Sequence, residues 1–312
     1  MKLPLRPSMA VTVTVAVLAL LPLVLPNNYA LDIAIRIALV AVAVIGLNLL
    51  MGFAGQVSIG HAAFVAIGAY GSGVASTRLN WPPLLTLALA ALMAAVLAWL
   101  VAKPILRLKG HSLTMATLGL GVIVNMVLVN EVAWSGGPDG MPVPPLTLAG
   151  FGFVKLGHWY ALAAAVLLGA ITLSLNLYSS PAGRALRGLH GAEVAARVVG
   201  VDVAAFKLRA FVASAVLASI SGGLMGHYLG FISPSIASFT HSVELATMVV
   251  LGGMSSTFGA VLGAALLTLL PQLLGGLNGY ESILFGLILM LTMMFLPRGL
   301  VPTIALWLRK GR

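Results

Sequence analysis

The stretch LDIAIRIALVAVAVIGLNLLM, from Leu31 to Met51, holds two charged side chains, Asp32 and Arg36, both near its start. Beyond Arg36 only Asn48 is strongly polar. A helix needs about 20 such residues to cross the hydrocarbon layer of a bilayer, so this run reads as a membrane span. Asp32 and Arg36 stand four apart with the acid first. That is a favourable pair on one helix face, and pairing lowers the cost of charge near lipid; the two read as structural.

The same reading repeats along the chain. Of 312 residues, 60% are hydrophobic and 8% charged, and the mean hydropathy is +1.09. Soluble proteins carry roughly 25% charged residues, and a soluble domain leaves a large solvated shell that this composition cannot supply. The expected fold is therefore an all-α polytopic membrane protein, one transmembrane domain over residues 1–312. Spans are predicted near 9–26, 31–51, 57–77, 82–102, 111–130, 159–178 and 208–232, then 242–254, 257–275 and 280–297. The first run follows Lys2 and Arg6 but lacks a clear small-residue cleavage site before Asn27, so it reads as a retained span. The absence of Cys removes disulfides, thiolate metal sites and Cys nucleophiles.

The net charge of +10 marks a membrane side and does not imply nucleic acid. Lys and Arg near span ends stay cytoplasmic. With the N-terminus inside, Lys103, Arg107, Lys109, Arg184, Arg187, Arg197, Lys207 and Arg209 fall inside, as does the basic tail Arg298, Arg309, Lys310 and Arg312. Arg78 and Lys155 fall outside, with Glu131 and Asp139. Both termini inside require an even number of crossings. Ten spans are favoured, the short 242–254 piece being a broken or tilted helix shielded by protein; eight is the alternative.

Two segments are unusual inside the membrane. GLNLLMGFAGQVSIGHAAFVAIGAYGSG, Gly46 to Gly73, mixes seven glycines with Asn48, Gln56, Ser58 and His61. Small residues let helices approach closely; alternatively, such a segment is a broken helix lining a translocation path. MVVLGGMSSTFGAVLGAALL, Met248 to Leu267, occupies a similar place in the second half, which suggests an internal repeat with the path at its interface. Candidate pathway residues are Asn48, Gln56, Ser58, His61, Thr114, Thr117 and Glu244, a set that suits small neutral or zwitterionic solutes. No second His or carboxylate stands at ligand spacing to His61, so no metal site is expected.

No catalytic motif is present: neither G-x-x-x-x-G-K-[ST], H-E-x-x-H nor G-x-S-x-G occurs. Proton-coupled carriers need buried ionisable groups, and few are present here, so if transport is active its energy is expected through another subunit. GRALRGLHGAEVAARVVGVDVAAFKLR, Gly183 to Arg209, is where one can attach. It lies in a cytoplasmic loop, 179–209, with a helical pattern broken at Gly191 and Gly200. Glu193 and Arg197 are spaced for an i,i+4 pair, and Val194 and Val198 repeat at the same interval and can dock on a partner.

In order along residues 30–300, GLNLLMGFAGQVSIGHAAFVAIGAY, LRLKGHSLTMATLGLG, WSGGPDGM, SPAGRALRGLHGAEVAARVVGVDVAAFKLRAF and VVLGGMSSTFGAVLGA resemble the landmarks of LivM-type permeases. These are membrane subunits of ABC importers for branched-chain amino acids. The resemblance implies a bacterial inner-membrane protein paired with a homologous LivH-type permease. It also implies two cytoplasmic ATPases, which would hold ATP and Mg, and a periplasmic or lipid-anchored substrate-binding protein. This chain would hold no cofactor and catalyse no reaction. The resemblance further assigns ATPase coupling to the E-x-A-A-x-x-x-G text from Glu193 to Gly200, hence to Gly191, Glu193, Ala195, Ala196, Arg197, Gly200 and Asp202. A urea or short-amide permease, or a standalone channel or carrier, is the alternative.

Overall fold

Lipid offers backbone N–H and C=O groups no hydrogen-bond partner, so segments that cross it close their bonds internally, as helices. The computed structural model describes residues 7–24, 27–108, 110–148, 151–153, 155–191, 193–198 and 200–274, with 286, 287, 290, 294, 299–301 and 303. In chain order the helices are α1 (Pro7–Val24), α2 (Asn28–Asn48), α3 (Ala62–Arg78), α4 (Pro83–Ile105), α5 (His111–Asn130), α6 (Val132–Ser135), α7 (Leu156–Ser179), α8 (Pro181–Gly191), α9 (Glu193–Val198), α10 (Val203–Leu229), α11 (Phe239–Gly252) and α12 (Thr257–Leu274). Two-residue strands decorate the loops: β1 (Met141–Pro142) pairs antiparallel with β4 (Phe231–Ile232), and β2 (Thr147–Leu148) with β3 (Phe151–Gly152).

Five helices among the described residues are long and apolar enough to cross a membrane: α2 with its π-helical extension to Phe53, α4, α5, α7 and α10. Shorter apolar helices lie in α1, α11 and α12. The protein is an all-α, multi-span membrane protein. Most of the predicted span 280–297, all but 286, 287, 290 and 294, lies outside the described residues, as do the basic tail and Lys109.

α2 is the central post. Ile35, Leu39, Val42, Ile45 and Leu47 are fully buried against α7, α10, α11 and α12. α4 shows the opposite economy: Ala90, Ala94, Ala98 and Ala102 form a buried stripe at i,i+4 spacing, while Leu84, Leu92, Val96 and Leu100 on other faces are exposed. Small residues pack against protein and large apolar ones face outward, which suits a bundle whose solvent is lipid. α10 crosses both α3 and α4 along much of their length. At Gly68 and Gly222 an added Cβ would overlap the backbone carbonyls of Ser219 and Val65, so α3 and α10 touch main chain to main chain.

α11 and α12 run antiparallel, with Gly252 against Gly259 and Gly263 against the Met248 carbonyl. α12 also runs antiparallel to α2. Tyr29, at the start of α2, donates to Gln272 Oε1 at 2.6 Å, and Asn48, at its end, meets Ser255 and Ser256. α11 thus descends from the end of the bundle where α2 begins, and α12 returns to it.

Three expectations change. The span drawn over 57–77 is not helical at its start: residues 54–61 are irregular and α3 begins at Ala62. The loop drawn over 179–209 ends earlier, because α10 starts at Val203 and takes Lys207 and Arg209 into its first turns; the helical pattern read before it forms α8 and α9. Glu193 does not pair with Arg197; it pairs with Lys207.

Candidate functional site

The interruption begins where α2 slips into a π-turn at Leu49–Phe53, a feature frequent at functional sites. Gly55 then takes φ +67°, and the chain runs without regular structure to His61. Gln56 and Ser58 are buried, while Val57 is 46% exposed. Polar groups thus point into the protein and an apolar one points out, the reverse of a soluble strand.

Three helices, α5, α10 and α11, and the turn between α11 and α12 hold this segment. Asn48 Nδ2 donates to the Ser256 carbonyl at 3.0 Å, and its Oδ1 accepts from Ser255 N at 3.0 Å. Ser255 Oγ donates to the Gly52 carbonyl. Ile59 N donates to Thr117 Oγ1 on α5 at 3.3 Å. Gly60 lies so close to α5 that a Cβ there would overlap the Thr117 carbonyl oxygen. Ala62 N donates to Ser242 Oγ on α11 at 3.2 Å. His61 Nε2 lies 3.2 Å from Ser214 Oγ on α10, and its ring packs edge-on to Phe64, which packs on Phe211.

Against this full accounting, three buried polar atoms of the segment have no hydrogen-bond partner: Gln56 Oε1, Ser58 Oγ and His61 Nδ1. A buried polar group left unpaired costs about 1–3 kcal/mol. Three such atoms fall within six residues. Their array of an amide oxygen, a hydroxyl and an imidazole nitrogen can exchange hydrogen bonds with a small polar solute without a net charge.

Asn48 thus ties the end of α2 to the turn before α12, Thr117 ties Ile59, next to Ser58, to α5, and Gln56, Ser58 and His61 are buried along the same segment. Thr114 lies one turn away on α5, bonding back to Gly110 at 3.4 Å. Glu244 stands apart on α11, its carboxylate 39% exposed and 3.3 Å from His241 Nδ1. Sequence reasoning named neither Ser214 on α10 and Ser242 on α11 nor the adjacent Ser255 and Ser256 in the turn before α12, because a serine gives no local sign of the partner it reaches.

The charged segment packs directly beneath the interruption. α8 contacts both α7 and residues 49–53, burying Leu186 and Leu189. Arg187 donates to the Tyr178 carbonyl at 2.7 Å and stacks over the Tyr178 ring at 4.0 Å; that ring meets Phe53 edge-on at 5.8 Å. Gly191 ends α8. On α9, Ala196 is buried, Arg197 exposed, and Val194 and Val198 are 74% and 82% exposed; Ala195 lies in the same turn. Gly200, at φ +83°, turns the chain back, and Asp202 caps α10 by accepting from Ala205 N at 3.1 Å. The turn lets Glu193 reach Lys207, whose side chain is only 5% exposed.

Interrupted spans, glycine seams and a charged helical foot seated on the interruption define a multi-span membrane transport protein. The family described as "Branched-chain amino acid transport system / permease component" matches residues 29–296, and the chain belongs to that family. It is 33% identical to the high-affinity branched-chain amino acid transport system permease protein LivM of Escherichia coli K12, over 87% of this chain and 69% of that protein. It is 24% identical to LivH of the same organism, over 84% and 90% of the two chains. To the permease protein BraD of Pseudomonas aeruginosa it is 26% identical, over 84% and 91%. No solved structure matches the chain.

Proposed function

We propose that this chain is the permease subunit of an ATP-driven ABC importer for branched-chain or other neutral amino acids. It lies in the bacterial inner membrane with α8 and α9 on the cytoplasmic side. Its partners are a LivH-type permease, two ATPases that hold ATP and Mg, and a substrate-binding protein on the opposite face. The substrate class is supported by family membership and by the names of the relatives. The energy source is supported by one observation: α8–α9 seats on residues 49–53 while α9 turns Val194 and Val198 outward.

That geometry offers two routes for movement. One runs from Arg187 through Tyr178 to Phe53 in the π-turn. The other runs from Glu193 to Lys207 and up α10 to Ser214, which holds His61. A displacement of α9 by nucleotide-dependent closure of the ATPases reaches the interrupted segment by both. Coupling of this kind needs a two-state element biased by nucleotide, and the segment of residues 49–61 is that element.

The test is reconstitution with the partner subunits in liposomes. ATP-dependent accumulation of leucine and co-purification of an ATPase are expected. Uptake by this chain alone without ATP would refute the coupling, and uptake of urea in place of amino acids would refute the substrate class.

A further inference from the structure

Resting on that reading, we infer that the cavity lined by α2, α3, α10, α11 and residues 231–236 binds the aliphatic side chain of the transported amino acid. The cavity holds about 380 Å³, within the range of small-molecule sites. Val40, Ala43, Val65, Met225 and Leu245 form its apolar wall. Ser233, Ser235 and His241 stand at its mouth, beside the exposed Leu229 and Phe231. Ser233 and Ser235 share a hydrogen bond of 2.6 Å between their hydroxyls, and His241 faces Glu244.

The division matches a neutral amino acid. An aliphatic side chain fits the wall, while the ammonium and carboxylate stay with the hydroxyls and the imidazole. A second cavity of about 450 Å³, between α3, α4 and α5, has no such division: apart from Tyr70 and Trp134 its lining is aliphatic side chains and glycine, and it suits lipid.

Position also favours the inference. Val65 is one helical turn from His61 on α3, about 6 Å along the axis. His241, also in the lining, adjoins Ser242, the residue that holds Ala62 N on α11. The cavity thus sits one turn above the unpaired Gln56, Ser58 and His61 atoms. A solute released from it in that direction meets polar groups that lack partners.

The test compares uptake of alanine, valine, leucine and phenylalanine by the complete complex in liposomes, saturated with its binding protein. Ala43→Leu narrows the wall and should lower leucine uptake about 10-fold more than alanine uptake, the discrimination a hydrophobic pocket gives per methylene. Met225→Ala widens it and should shift preference toward phenylalanine by a similar factor. Because Met225 is only partly buried, this variant keeps the test decisive if Ala43→Leu fails to fold. Uniform changes that leave the ratios untouched overturn the site while the importer reading stands. A wild-type complex that moves no amino acid overturns the function and the site together.

Discussion

Lys207 and Glu193 make a pair whose halves should behave differently when cut. The Lys207 side chain is 5% exposed and the Glu193 side chain 28% exposed. Replacing Glu193 by Gln leaves an ammonium buried without a partner, a change that costs about 3–5 kcal/mol in comparable pairs. Replacing Lys207 by Met keeps the apolar stem and leaves a carboxylate that can reach water. Its cost should resemble loss of a partly exposed pair, about 1 kcal/mol. The double replacement removes both charges and should lie near wild type, since well-packed apolar substitutes for buried pairs are often neutral or better.

The six residues of α9 (Glu193–Val198) are too few for a self-supporting helix, because isolated helices below about 12–15 residues are marginal. The lost energy should therefore appear as local release. Amide exchange over 193–198, measured in nanodiscs without the ATPases, should accelerate by roughly 100-fold or more in Glu193→Gln, at tenfold per 1.4 kcal/mol. Lys207→Met should change it less than about tenfold by the same conversion. In the full complex, uptake per ATP hydrolysed should fall in the same order. If Lys207→Met proves as damaging as Glu193→Gln, or the double variant recovers nothing, the ion pair does not hold α9 to α10.

Other outcomes follow from the same geometry. Asn48→Ala strands Ser255 N–H, while the Ser256 carbonyl keeps its bond from Ala260 N; a thermal-shift assay in detergent should show a loss of about 1–3 kcal/mol. Gly60→Ala forces a methyl group into the Thr117 carbonyl and should destabilise by about 1–3 kcal/mol or more. Gly119→Ala, with open space around it on the neighbouring helix, should stabilise slightly, by about 0.5–1 kcal/mol; the pair is read by the same melting assay. Val194→Asp with Val198→Asp alters only exposed positions, so permease yield should hold while pull-down of the ATPase is lost. The chain has no Cys, so single cysteines at Arg197 and Glu131 report topology directly: a membrane-impermeant thiol reagent added outside should label the second and spare the first.

What could be read from sequence depended on how local the deciding forces are. Membrane class and the limits of α2, α4, α5 and α7 were legible within a few residues, because hydropathy sums over a whole run. The break before α3 was not, because Val57 and Ile59 keep the average apolar while Gly55 and Gly60 change the backbone. The Glu193–Arg197 spacing was a sound local expectation. It failed because the Gly200 turn carries α9 back along the foot of α10, where a buried Lys207 has greater need of a carboxylate than an exposed Arg197 has. Lys207 itself was assigned to a loop on the rule that charge marks span ends, yet its ion pair lets it sit inside a long helix.

The two glycine-rich segments teach a subtler point about sequence similarity. Their shared mix of glycine and serine suggested an internal repeat with the transport path between the halves. In the fold the two meet: an added Cβ at Gly52 would overlap Asn48 Oδ1 and Ser255 N, and Ser255 itself takes φ +64° to bring its N–H to Asn48. A contact this close admits only small residues on both sides, whatever their ancestry. Likeness in composition is therefore what the interface itself demands, and it locates the seam between α2 and the α11–α12 pair without requiring duplication. That seam is held by side-chain hydrogen bonds, whereas α3 and α10 are locked by backbone contact at Gly68 and Gly222. Side-chain hydrogen bonds can be exchanged at modest cost as helices slide, but interdigitated backbones move only together. Any motion that opens the interrupted segment must therefore part the bundle at Asn48–Ser255 and leave α3 and α10 as one body.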